Sequence, residues 1–133
     1  IGVGANYIFG LPNDTLQSMQ NTLDFAIENS TDMANFYSAM AYPGSPLYLD
    51  AKRDGMKLPS TYTGYSQHSY DSLNMSNNNL TSAQILEFRD MAWNKYHTNP
   101  KYVKQLEKKF GSAAKKELES TTQVSLKRKL LGD

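Results

Sequence analysis

The sequence predicts an α/β fold, built on one parallel βαβ unit and continued by an α-helical C-terminal extension. Three observations carry that prediction. Two apolar runs, Ala5 to Phe9 and Met33 to Tyr42, have the length and aromatic content of strands. Between them Leu16, Met19, Leu23, Ala26 and Ile27 recur on one helical face, with Gln17, Gln20, Asp24 and Glu28 mostly on the other. Beyond Thr81 the apolar pattern is helical to the end. Residues 1–58 therefore read as strand–helix–strand–helix, and residues 59–133 as a loop plus helical extension.

The first run carries apolar residues on both faces except at Asn6, as a strand covered on both sides would. Gly10-Leu11-Pro12 ends it, because proline cannot donate to a ladder. Asn13, Asp14 and Thr15 are all competent N-caps for the helix that follows, each worth about 1 kcal/mol over alanine. Asn29 to Asp32 break that helix and lead into the second strand. Short links between two strands and one helix imply a parallel crossover.

Pro43-Gly44 turns the chain, Ser45 caps a short helix with Pro46 in its first position, and Gly55 ends it. From Met56 to Asn79 the composition is Ser, Thr, Tyr, Asn and Gly, which predicts either a functional loop or a linker. Its tyrosines Tyr62, Tyr65 and Tyr70 argue against plain disorder. Thr81 with Gln84 forms a capping box for a helix bearing Ile85, Phe88, Ala92 and Tyr96. Asn99-Pro100 opens the next helix, which carries Tyr102, Val103, Leu106 and Phe110 and stops at Gly111. A last helix is predicted from Ser112 toward Leu131, with Lys127-Arg128-Lys129 on a solvated face.

The chain of 133 residues has the size of one ordinary domain, with mean hydropathy −0.61 and formal charge +1. That charge is too small to argue for nucleic acid, and no apolar run has the roughly 18 residues of a membrane span. A cytoplasmic protein is the default expectation. There are no cysteines, so this stretch offers no disulfide, no thiolate zinc site, no cysteine nucleophile and no cysteine-ligated iron–sulfur cluster. Ile1 enters a strand almost at once, which reads as a chain excised from a longer one.

Few side chains suggest chemistry. Gly2, Gly4 and Gly10 do not form a dinucleotide fingerprint, because two of them precede the strand. The turn from Gly10 to Thr15 lies where α/β proteins collect anionic ligands, and it reads equally as an ordinary capped turn. Pro43 to Pro46 end the second strand at the same edge. His68 and His97 make a weak metal pair, and His97 reads as a dipole partner at a helix C-terminus. Asp32, Asp50 and Asp54 form no acid–base pair by spacing.

The segments YIFGLPNDTLQSMQNTLDFA (Tyr7–Ala26) and NFYSAMAYPGSPLY (Asn35–Tyr48) resemble the radical S-adenosylmethionine enzymes, in the branch with an N-terminal cobalamin-binding domain. Arg89 to Gly111 is similar to the helical tail of that branch. The resemblance implies a partial (β/α) barrel fragment whose fifth and sixth strands are the two apolar runs. In the family's fifth-strand pattern, Gly-x-Ile-x-Gly-x-x-Glu, Ile8 and Gly10 match, while Asn6 and Asn13 replace the first glycine and the glutamate. It implies that Ile8 and Gly10, with Ala41, Tyr42 and Pro43 at the end of the second strand, approach the adenosyl part of S-adenosylmethionine.

The parent enzyme is then expected to use S-adenosylmethionine, a [4Fe–4S] cluster and cobalamin, for methyl transfer or rearrangement at an unreactive carbon. The cluster's three-cysteine motif would lie upstream, so this chain alone should be inactive. Its expected partners are the rest of the parent polypeptide or, through exposed strand edges, a second copy, unless its own C-terminal helices pad the sheet. The rival expectation is a stand-alone, non-catalytic α/β interaction module.

Overall fold

Strands β1 (Gly4–Phe9) and β2 (Met33–Ser38) run parallel, in register from Gly4 opposite Met33 to Phe9 opposite Ser38. The computed structural model describes every residue, 1–133. Helix α1 (Leu16–Asn29) connects the strands and α2 (Pro46–Arg53) follows the second. Helices α3 (Ser82–His97), α4 (Pro100–Phe110) and α5 (Ser112–Thr122) form the C-terminal part, with short 3-10 turns at Tyr62–Tyr65 and Lys129–Leu131.

The local signals act as the residue types dictate. Thr15 caps α1 through Ser18, and Thr81 caps α3 with Gln84 reaching back to the Thr81 N–H. Ser45 and Asn99 cap α2 and α4, each followed by a proline whose missing N–H costs nothing there. Met19, Leu23 and Ala26 are buried as the periodicity predicts, whereas Leu16 is left half exposed.

One core joins the two parts of the chain. Phe9, Met19, Leu23 and Phe36 pack with Ile85, Phe88, Tyr96 and Tyr102. Phe36 is its aromatic hub, stacked near Phe9 and Tyr7 and edge-on to Tyr96 and His97.

Three expectations are corrected. The second strand stops at Ser38 rather than Tyr42, because the Met56–Asn79 loop takes over its hydrogen bonds: the Met75 N–H donates to Ala39 O at 2.9 Å. The sheet is covered on one face only. Ala34, Phe36 and Ser38 point into the core, while Asn6, Ile8, Met33 and Asn35 stay exposed. Finally, α5 ends at Thr122, and Arg128 is not on a solvated helix face but fully buried in an extended segment.

The two sheet edges differ. In this register odd-numbered residues of both strands bond across the pair, as Met33 N–H to Val3 O and Ala39 N–H to Phe9 O show. The outer edge of β2 is therefore formed by Ala34, Phe36 and Ser38. Arg89 Nε donates to Phe36 O at 2.7 Å. The Gln67 amide acts as a strand surrogate, accepting the Ser38 N–H at 2.9 Å and donating to Ser38 O at 3.0 Å. Just before the strand, Gln105, Tyr96 and Tyr102 donate to the carbonyls of Ser30, Thr31 and Asp32. On β1 the outward groups of Gly4, Asn6 and Ile8 have no such side-chain partners.

Candidate functional site

Two regions carry the candidate residues: the uncovered face of the sheet and the C-terminal ends of its strands. On the face, Asn35 Nδ2 donates to Asn6 Oδ1 at 3.0 Å, between Ile8 on one side and Met33 on the other. No charged side chain lies on these six strand positions, Gly4, Asn6, Ile8, Met33, Asn35 and Tyr37. The face is mixed, with Ile8 and Met33 apolar and the Asn6–Asn35 pair polar, and it lacks the charges that often mark a solvated sheet face.

The residues expected at a cofactor fall into two groups. Ile8 (47% exposed), Tyr42 (49% exposed) and Pro43 are open to the surface. Gly10 and Ala41 are buried at the strand ends. Gly10 borders a groove of about 460 Å3 together with Leu47, Ala51 and Met75. Ala41 lies on the other side of Ala51, in a tighter space closed by Met56 and Asn74. Asn13 is exposed.

The anion-cradle reading of the first turn is answered by Asp14. Its Oδ2 accepts the Gly10 and Leu11 N–H groups, both at 2.9 Å, and its Oδ1 accepts from Ser18 Oγ. The Gly10, Leu11, Thr15 and Ser18 N–H groups of this turn are thus satisfied from within.

Sequence reasoning missed Asn74. It is 1% exposed, its Nδ2 donates to Met75 O, and its Oδ1 has no hydrogen-bond partner although it is buried beside Ala41. A buried acceptor without a partner costs about 1–3 kcal/mol. Nothing in the sequence around Asn74 singles it out from its neighbouring asparagines.

The tyrosines gather at the same edge. Tyr42 and Tyr65 have ring centroids 6.0 Å apart, and Lys52 Nζ sits 5.6 Å from the Tyr48 ring centroid. Burial, with Tyr48 and Tyr62 nearby, raises the Tyr65 pKa above its ordinary value. Asp71 braces the loop by accepting from Thr63 Oγ1 at 2.6 Å, which holds its carboxyl below the usual range.

His97 does not serve as the dipole partner expected. His97 is 7% exposed, its Nδ1–H donates to Trp93 O at 2.7 Å, and its ring lies against Trp93, Tyr96 and Tyr102. Burial pushes its pKa down, aided by Arg89 and opposed by the Trp93 carbonyl; a cation at a helix terminus would show the reverse. His68 Nε2 accepts from Arg89 Nη2 at 3.3 Å. Its pKa is lowered by burial and then by Arg89 and Arg128, with Asp90 opposing. The two do not form a metal site, and no group of three metal-binding side chains occurs elsewhere.

Both folded histidines therefore bind protons less readily than unfolded ones, which titrate near pH 6.5. As pH falls below about 6.5 the unfolded chain takes up more protons, and stability declines until the folded imidazoles protonate too. Urea unfolding at pH 7.5 and pH 5 should show this loss. In His97→Gln the pH dependence should shrink, and an unchanged slope would contradict the assignment.

Compared with known protein families, curated proteins and solved structures, the chain matches none. No helix is long and apolar enough to cross a membrane.

Proposed function

We propose that this chain is the C-terminal part of the barrel of a cobalamin-dependent radical S-adenosylmethionine enzyme, and that it forms one wall of the S-adenosylmethionine site. The observation that carries this reading is the asymmetry of the sheet. One face is uncharged and uncovered, β1 has a free edge, and the β2 edge is closed by Arg89, Gln67 and the C-terminal helices. A parallel pair normally belongs to a larger sheet covered on both faces. Here further strands could add only beside β1, and the open face would then turn toward the inside of the barrel.

The residues present suit an adenosyl group. Ile8 and Tyr42 offer apolar surface, and Asn6 and Asn35 polar amides. They do not suit the cluster. A chain without cysteine cannot supply its thiolates, so the [4Fe–4S] group belongs to the remainder of the parent, as does the N-terminal cobalamin domain that the resemblance implies. The part of this chain is to position the nucleoside and keep water from it.

Two measurements test the reading. The reading frame upstream of Ile1 should encode a three-cysteine motif, and a start codon immediately before Ile1 would overturn the proposal in favour of a non-catalytic interaction module. Calorimetric titration of the chain with S-adenosylmethionine should give only weak binding, because the methionine end lacks its anchor. Tight binding would show the site to be complete without the cluster.

A further inference from the structure

The segment after α5 adds little apolar burial yet is firmly placed. Gln123 to Lys127 are exposed, Val124 at 66% and Leu126 at 37%. A groove of about 540 Å3, bordered by Met91, Trp93, Val124 and Leu126, separates this stretch from α3. What holds it is Arg128, which is fully buried. Its Nε and Nη2 donate to the two Asp90 oxygens, both at 2.8 Å. Nη2 also donates to Gln67 O at 2.8 Å and Nη1 to Ser69 O at 3.0 Å. Around it the Lys129 N–H donates to Tyr70 O, and Tyr70 OH to Asp133 O at 2.7 Å.

The two carbonyls that Arg128 grips belong to the loop whose Gln67 side chain closes the edge of β2 at Ser38. Two residues earlier, Tyr65 rests against Tyr42. We infer that residues 123–133 act as a strap, with Arg128 as the positioning residue that holds the 62–72 loop against the strand end and so sets the rim of the candidate site.

The physical basis is the division of labour between burial and hydrogen bonding. The β-sheet and α3 are secured by the shared aromatic core, whereas the strap and loop are secured by polar contacts around one guanidinium. Segments with few buried apolar contacts open below the global unfolding free energy. Release of Arg128 would free Gln67, expose Ser38 N–H and O, and let Tyr65 move from Tyr42, with the core intact.

Hydrogen exchange on the whole chain distinguishes a strap from general stabilisation. In Arg128→Lys, which keeps the charge and loses the planar fork, exchange at the Ser38 and Lys129 amides, and at the Leu73 amide that donates to Gly64 O across the loop, should rise about tenfold or more. The Asn35 and Tyr37 amides, bonded across to β1, should change by less than about twofold. The Tyr65 ring resonances should shift as its contact with Tyr42 loosens. A uniform rise at all five amides, or no rise at Ser38 and Leu73, would overturn the inference. Tyr70→Phe, at an exposed position, provides the same test if Arg128→Lys fails to fold: it should raise exchange at Lys129 and Ser38 by about threefold and leave Tyr37 unchanged, and an unchanged Ser38 would again overturn it.

Discussion

Replacing Asp90 by alanine should destabilise the protein by about 3–5 kcal/mol, read as a lower urea midpoint at unchanged slope. Asp90 Oδ1 accepts from both Arg89 Nη1 and Arg128 Nη2 at 2.8 Å, while Oδ2 accepts from Arg128 Nε. The arginine side chains are 5% and 0% exposed and the aspartate 25%. Without the carboxylate, two buried guanidiniums remain side by side, with His68 adding no negative charge. The cost comes from those stranded cations rather than from the lost attraction. Asp90→Asn, which keeps one acceptor and the shape, should lose less, about 1–3 kcal/mol. Because the arginines are shielded from solvent, the loss should persist at high salt. A loss below about 1 kcal/mol would mean that water replaces the carboxylate through its exposed side.

Gly10→Ala should cost about 2–4 kcal/mol, for two reasons acting together. Gly10 has φ of +82°, where an L side chain is strained, and a Cβ there would lie 2.6 Å from Ile85 Cγ2. Ile85 is fully buried and so has little room to move aside. In Gly10→Ala/Ile85→Ala the overlap is removed and the backbone strain remains. The double variant should therefore be less destabilised than the sum of the single ones, by about 1 kcal/mol or more. Strict additivity in urea unfolding would show that Ile85 already yields to the added methyl group. The structure gives this glycine a packing reason that needs no ligand.

The sequence by itself determined the elements governed by neighbouring residues. The caps at Thr15, Ser45, Thr81 and Asn99 act within three residues of themselves, so their effect is written locally. The face of α1 follows from helical period, and the parallel pairing from two apolar runs with one helix between them. Of the candidate site, the βαβ pattern placed the turn after Gly10 and the Pro43–Pro46 turn at one edge, while Ile8 rested on the resemblance alone.

Only the tertiary structure decided what joins distant residues. Arg89 and Gln67 close the edge of β2 from 53 and 29 positions away, and nothing near either residue announces that pairing. Arg128 sat within a basic triplet that helical spacing assigns to solvent. It is buried because Asp90 and two loop carbonyls, 38 to 61 residues distant, together satisfy its donors. Charge within a short window reports only local surroundings, while the desolvation of a guanidinium is set by every chain segment that meets it. The same limit hid the open face of the sheet: apolar runs say that both sides of a strand are to be covered, and only the packing shows that β1 and β2 have a cover on one.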